Sequence, residues 1–296
     1  MIVSHAAGPL RSLVLASAAV AAAACASRSA TAPATAAPMA VTLPVDSAFE
    51  RAVQRGTRTR TGRPGPRYWQ QYARYSVQAE LDPEQARLTG ESATWYFNRS
   101  PDTLRSIAVF LYQNLHAQGA PTNTPVPTTG GITLTRVAAQ GQELAARAAG
   151  DSGVGYTVQH TVSWIRPPRP VLPGDSVELR FAWSFRVPPE GAPRMGQDGE
   201  IFFVAYWYPQ VAVYDDLSGW HTDPYLGNGE FYMGYADYDV SITLPDVWLV
   251  DATGTLQNAD QVLSEQTRQR LAAARTSQGV THVATLEDRT SGAATT

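Results

Sequence analysis

Between Tyr206 and Val240 the sequence gathers the carboxylates Asp215, Asp216, Asp223, Asp237 and Asp239 among tyrosines, tryptophans and a histidine. Paired carboxylates beside aromatic platforms suit glycosidases and sugar-binding modules, and oxygen-rich loops suit calcium. The same residues also have a structural reading, in which Asp216 and Asp223 cap turns while the aromatics pack a core. His221-Thr222-Asp223 offers two metal ligands, one short of the three protein ligands a catalytic zinc takes. A loop histidine held by hydrogen bonds is the other reading of that triplet. The remaining histidines (5, 116, 160 and 282) are scattered, and no H-E-x-x-H, G-x-S-x-G, G-x-G-x-x-G or paired C-x-x-C occurs. No catalytic residue and no metal ligand is therefore assigned.

Composition removes further chemistry. All 23 basic residues are arginine, so a Walker A lysine, a Schiff-base lysine and a Ser-Lys dyad are excluded. A net charge of −3 in 296 residues provides no field for a polyanion, and nucleic acid is not expected as a partner. The single cysteine, Cys25, excludes an internal disulfide and a cysteine-rich metal site. It follows an apolar run, Ser12 to Ala24, behind Arg11, which marks residues 1–24 as a signal peptide and the chain as exported. Ala22-Ala23-Ala24-Cys25 resembles the lipobox of bacterial lipoproteins, with Ala in place of Leu or Val at its first position. The resemblance implies a lipidated Cys25 and a membrane-anchored protein of the bacterial cell envelope, on its periplasmic or surface side. An ordinary secretory signal cleaved in the same alanine run is the alternative.

The elements that must position these residues are mostly strands. Residues 25–67 are rich in Ala, Thr, Pro, Ser and Gly and are expected to be a flexible linker, with a brief helix over Val45 to Val53. Seven arginines (51, 55, 58, 60, 63, 67 and 74) without an intervening acid could lie on anionic headgroups or simply be solvated. Beyond Tyr68, period-two alternation predicts a hairpin of Tyr75–Leu81 and Leu88–Phe97 around the turn at Asp82-Pro83-Glu84. Ile107–Tyr112, Tyr156–Ile165, Ser176–Val187, Ile201–Tyr208, Tyr238–Leu244 and Val280–Leu286 follow the same rule. Short helices are predicted over Gln142–Ala149 and Asn258–Arg275, the latter capped by Asn258. The fold class is all-β, saddle-shaped or sandwich-like, with mostly antiparallel sheets and one or two short helices.

Several motifs then fall in order. Asn98-Arg-Ser-Pro101-Asp-Thr-Leu104 and Leu111-Tyr-Gln-Asn114 come first. Trp207-Tyr-Pro209-Gln-Val-Ala-Val-Tyr214-Asp-Asp216 with Gly219-Trp220 follows, and Tyr238-Asp-Val240-Ser-Ile-Thr-Leu-Pro245 with Ala252-Thr-Gly254 closes the series. From about Tyr68 onward the chain thus resembles the amino-terminal β domain of the M1 (aminopeptidase N-like, gluzincin) zinc metallopeptidases. The resemblance implies a saddle-shaped β domain over 68–296, followed in the family by a thermolysin-like domain carrying G-x-M-E-N, H-E-x-x-H and a distant Glu. There zinc polarises the scissile carbonyl and its bound water attacks. Neither motif occurs in these 296 residues. The chain is accordingly expected to be a non-catalytic fragment, truncated at its C-terminal end. It needs no cofactor of its own, and zinc is expected in the missing C-terminal catalytic domain, its principal partner. The parent is expected to be an aminopeptidase acting on peptides.

The resemblance also implies a contact to the substrate's free amine from a Gln or Glu near the Trp-Tyr-Pro segment. The Gln expected before the tryptophan is Tyr206 here, so Glu200, Tyr206 and Gln210 are the candidate substrate-binding residues. The alternative for the whole chain is a freestanding lipid-anchored β-sandwich that binds glycans or peptides.

Overall fold

The computed structural model describes residues 46–229, 231–245, 248–285 and 288. Cys25 and the signal peptide lie outside them. Helix α1 (Ser47–Arg55) precedes a run of strands: β1 (Tyr72–Asp82), β2 (Arg87–Phe97), β3 (Ile107–Phe110), β4 (Thr133–Ala139), β5 (Gln142–Glu143), β6 (Gly155–Gln159), β7 (Val162–Arg166) and β8 (Ser176–Arg186). Then come β9 (Gly196–Asp198), β10 (Ile201–Phe203), β11 (Gln210–Val211), β12 (Tyr214–Asp215), β13 (Gly219–Trp220) and β14 (Ala236–Thr243), followed by α2 (Ala259–Val262) and α3 (Glu265–Ala274). A 3-10 turn spans Tyr112–His116. No helix among the described residues is long and apolar enough to cross a membrane.

The protein is all-β and sandwich-like. A six-stranded sheet in the order β14-β1-β2-β8-β4-β5 packs with a four-stranded sheet in the order β11-β3-β7-β6, and two small hairpins pair β9 with β10 and β12 with β13. Among the described strands the pairings are antiparallel except β1 with β14, which run parallel from Ala73↔Ala236 to Glu80↔Thr243. Period-two alternation sets which face is buried: Ala73, Tyr75, Val77 and Ala79 on β1 and Val177, Leu179, Phe181, Trp183 and Phe185 on β8 all enter one core. Strand β3 contributes Ile107, Ala108, Val109 and Phe110, every one of them buried, because it is covered on both faces. Burying a Phe181-sized side chain contributes roughly 1.5–3 kcal/mol. Where β2 passes Trp183 the paired residue is Gly90, and a Cβ there would sit 2.5 Å from Trp183 Cζ2.

Several expected elements differ. Gln142–Ala149 is not helical: Gln140 (φ 52°) and Gly141 (φ 80°) form a left-handed turn that sends the chain back as β5. Main-chain bonds of Arg147 to Tyr156 and of Tyr156 to Ala145 then keep it extended. The segment Tyr156–Ile165 is a hairpin, β6 to β7, folded at His160 (φ 53°). Ile201–Tyr208 is a strand only through Phe203, and Asn258–Arg275 is split at Leu263-Ser264, where Ser264 Oγ accepts from Thr267 N at 3.1 Å to begin α3. Residues 280–285 form no strand, and Leu286 lies outside the described residues.

Residues 46–67, expected as the end of a flexible linker, are built into the domain. Asp46 caps α1 by accepting from Ala48 N at 2.9 Å, and Gly56 (φ 76°) closes the helix in the left-handed conformation. Ala52 is fully buried and Thr57 nearly so. The arginines expected to be solvated or on headgroups include the anchor of this segment, because Arg58 is bound by the buried carboxylate of Asp216.

Candidate functional site

Strands β11 to β13 bring Asp216 into contact with Arg55 and Arg58, far away in sequence, and Asp215 into contact with residues that follow it closely. Asp215 and Asp216 are neighbours with opposite fates. Asp216 points inward, its side chain 1% exposed, and receives Arg58 Nη2 at 2.7 Å and Arg58 Nε at 3.0 and 3.2 Å; its main-chain carbonyl accepts from Arg55. Burial alone would raise the Asp216 carboxyl, but hydrogen bonds from Arg58 and Thr57 overcome it and hold the group below the ordinary aspartate range. Asp215 turns the other way. Its Oδ1 accepts from the main-chain N–H groups of Leu217 (3.0 Å) and Ser218 (2.8 Å), which makes the β12–β13 turn. Its Oδ2 accepts from His221 Nε2 at 2.8 Å and, more weakly, from the Tyr232 hydroxyl at 3.4 Å. The His221 and Tyr232 rings meet edge to face, 4.8 Å apart.

Tyr232 is the wall between two cavities. The first, of about 120 Å³, is enclosed by residues 68–73, 210–215 and 232–236 together with Tyr75 and Tyr96. The second, of about 280 Å³, is lined by His221, Asp223, Tyr225, Phe231 and their neighbours. In the first, Trp69 stacks on Tyr214 (5.7 Å, 23°) and Tyr75 stacks on Tyr238 (4.9 Å, 6°). Burial pushes the Tyr75, Tyr96 and Tyr214 hydroxyls up, so all three stay neutral. Tyr75 accepts from Val211 N at 3.1 Å and Tyr214 donates to Asp102 at 2.8 Å, which ties the Asn98–Leu104 motif to the Tyr214–Asp216 motif. The Asp215–His221 pair has a phenol as its third member, so the arrangement orients a loop and carries no activated nucleophile of the triad kind.

The sequence-derived candidates are not brought together. Gln210 is buried on β11 and lines the first cavity. Tyr206 lines neither cavity. It adopts φ 39°, its ring packs on Tyr112, Tyr225 and Phe231, and its hydroxyl donates to the Pro193 carbonyl. Glu200 sits in the turn between β9 and β10 on the surface. His221 uses Asp215 instead of Asp223, and among the described residues no group of three or more His, Cys, Asp or Glu is placed to hold a metal ion. The described residues therefore do not fit a zinc centre. Asp237 is met by the Tyr72 hydroxyl and, at 3.9 Å, by Arg74, on an exposed strand face. Trp69, Tyr72 and Tyr96 were missed as site residues. Aromatics alternating in or beside a strand carry the signal of a core, and the Pro- and Arg-rich run before Trp69 resembles linker.

No protein-family model and no curated protein matches this sequence. Solved structures similar to parts of it include M1 zinc metallopeptidases. A mutant of the Deinococcus radiodurans enzyme bound to a Tyr-Ser-Ala substrate shares 14% identity over 64% of this chain and 37% of that chain, with a TM-score of 0.37. A two-domain M1 zinc metallopeptidase mutant bound to L-tryptophan shares 14% identity over 66% of this chain and 39% of that one, with a TM-score of 0.34. A further structure of the Deinococcus radiodurans enzyme shares 13% identity over 41% and 21%, with a TM-score of 0.26. The chain thus spans between 21% and 39% of the length of these structures.

Proposed function

We propose that this chain is the non-catalytic amino-terminal β domain of an M1-like zinc metallopeptidase whose parent removes residues from the N-terminus of peptides. The family is inferred from the ordered motifs Asn98–Leu104, Leu111–Asn114, Trp207–Asp216 and Tyr238–Pro245. The observation that carries the domain reading is the surface of β14. Tyr238, Val240 and Ile242 continue the core face of β1 in register with Tyr75, Val77 and Ala79, yet they are 46, 43 and 42% exposed. An apolar stripe on an edge strand is what a protein covers with another part of itself. On this reading the catalytic domain supplies the zinc and the peptide site, and this chain binds none of the metal. A lipid on Cys25 would hold the assembly in the cell envelope.

The test is in two parts. The coding sequence read beyond Thr296 is expected to hold an in-frame H-E-x-x-H with a downstream Glu and an upstream G-x-M-E-N. The purified chain supplied with zinc is expected to leave aminoacyl p-nitroanilides intact, whereas the continued chain hydrolyses them. A stop with no such partner, or zinc-dependent hydrolysis by the chain alone, overturns the proposal.

A further inference from the structure

The first cavity is defined by what its polar groups have left to offer. Asp215 is its one carboxylate among the described residues, no arginine or histidine lines it, and the Asp215 oxygens are already taken by Leu217, Ser218, His221 and Tyr232. An anion would find no charged donor there. The faces of Tyr68 and Tyr72 already hold cations, since Arg58 Cζ lies 4.7 Å over the Tyr68 ring and Arg99 Cζ 4.8 Å over the Tyr72 ring. Uncommitted polarity is neutral and of two kinds. The Tyr96 residue is 3% exposed and its hydroxyl has no hydrogen-bond partner, while Gln71 beside it spends its amide on Asn98 and on the Arg99 N–H. The Gln210 amide, on a residue only 4% exposed, bonds to no other described residue. Buried donors and acceptors are ordinarily paired, so the Tyr96 hydroxyl, with Gln210 lining the same space, marks a place where a ligand supplies the partner.

Size narrows the ligand further. Cavities of about 150 Å³ accept a benzene-sized molecule, so about 120 Å³ with an open mouth takes one six-membered ring. The ring must be neutral, must offer an apolar face to Trp69 and the tyrosines, and must carry hydroxyls for Gln210 and Tyr96. A pyranose has all three properties. We infer that this cavity is a binding site for one ring of a neutral saccharide, with Tyr235 (81% exposed) at the rim as the platform for the next. The inference does not rest on the peptidase reading.

Isothermal titration of the purified chain with a glucose tetrasaccharide and an N-acetylglucosamine tetrasaccharide tests it. Saturable binding of at least one is expected below about 10 mM, weakened at least about tenfold by Trp69→Ala and Gln210→Ala and several-fold by Tyr235→Ala. Tyr235→Ala removes only an exposed ring and Tyr96→Phe only a hydroxyl, so these two decide the matter if the others fail to fold. Absence of binding to both saccharides, binding unchanged in Tyr235→Ala and Tyr96→Phe, or saturable binding of an unmodified peptide in their place overturns the inference.

Discussion

Replacing Arg58 by Met keeps the aliphatic stem against its surroundings but strips the Asp216 carboxylate of its charged partner. That carboxylate is 1% exposed, whereas Arg58 is 20% exposed, so the two halves of the pair are not equivalent. Losing the arginine leaves a buried anion, and losing the aspartate leaves a guanidinium that can turn to water. Breaking a buried pair from one side costs about 3–5 kcal/mol, and the partial exposure of Arg58 places the expected cost of Arg58→Met near the lower end, about 3 kcal/mol. Asp216→Ala is expected to cost about 2 kcal/mol, and the double variant less than the sum, because the stranded charge is then absent. At about 2–4 °C per kcal/mol for a domain of 150–250 residues, Arg58→Met lowers Tm by about 6–12 °C at pH 7. The pH dependence has a fixed sign. The Asp216 carboxyl is held below its unfolded value, so its stabilisation is present above the ordinary aspartate range near pH 4 and is lost as pH falls through the folded value. In the variant, burial without the arginine raises the same carboxyl, so acid relieves the buried charge. The Tm gap between the two proteins, followed by circular dichroism, therefore narrows from pH 7 to pH 3. A gap below about 3 °C at pH 7, or one that stays constant with pH, refutes the account.

Other positions give independent checks. Gly90→Ala places a Cβ 2.5 Å from Trp183 and is expected to cost about 1–3 kcal/mol in urea denaturation, whereas Gly234→Ala, with nothing within 4 Å, stays within about 0.5 kcal/mol; equal costs would refute the packing argument. Tyr75→Phe leaves the Val211 N–H without its acceptor and is expected to cost about 1–2 kcal/mol with faster hydrogen exchange at Val211, and unchanged exchange there would count against the bond. Burial holds His116 below the ordinary imidazole value, although its Nδ1–H bond to the Pro127 carbonyl opposes this. The unfolded chain therefore gains protons first, and stability is expected to fall as pH drops below about 6.5. His116→Gln removes that component, and identical stability slopes between pH 7.5 and 5.5 in both proteins would contradict it.

Long strands were legible because alternation is a local property. The patterns in β1, β2 and β8 give the correct buried face, and the expected ends of these strands and of β14 lie within three residues of the observed ones. The expectation failed at two places where one or two left-handed residues outweighed propensity. Gln140-Gly141 turned an alanine-rich stretch into a hairpin, and His160 broke one apolar run into two strands. Strand β4 escaped notice because its first residues are exposed and mixed, with only Val137, Ala138 and Ala139 buried at its end. The site was less legible still. The first cavity is assembled from segments more than 130 residues apart, and its Trp69 follows a stretch that by composition is linker.

By itself the sequence determined which chemistries this chain lacks, since the absence of lysine and of a zinc motif needs no geometry. It also determined that strands would dominate. Only the tertiary structure decided what the aspartates do. Asp215 and Asp216 are adjacent and chemically identical, yet Asp215 ends β12 while Asp216 opens the turn to β13, and their side chains meet different partners. One therefore meets Arg58, which lies 158 positions earlier in the chain, and the other meets His221 and the wall of a cavity. A carboxylate's role is set by its solvation and its charged neighbours, and those neighbours are chosen by the packing of the whole domain.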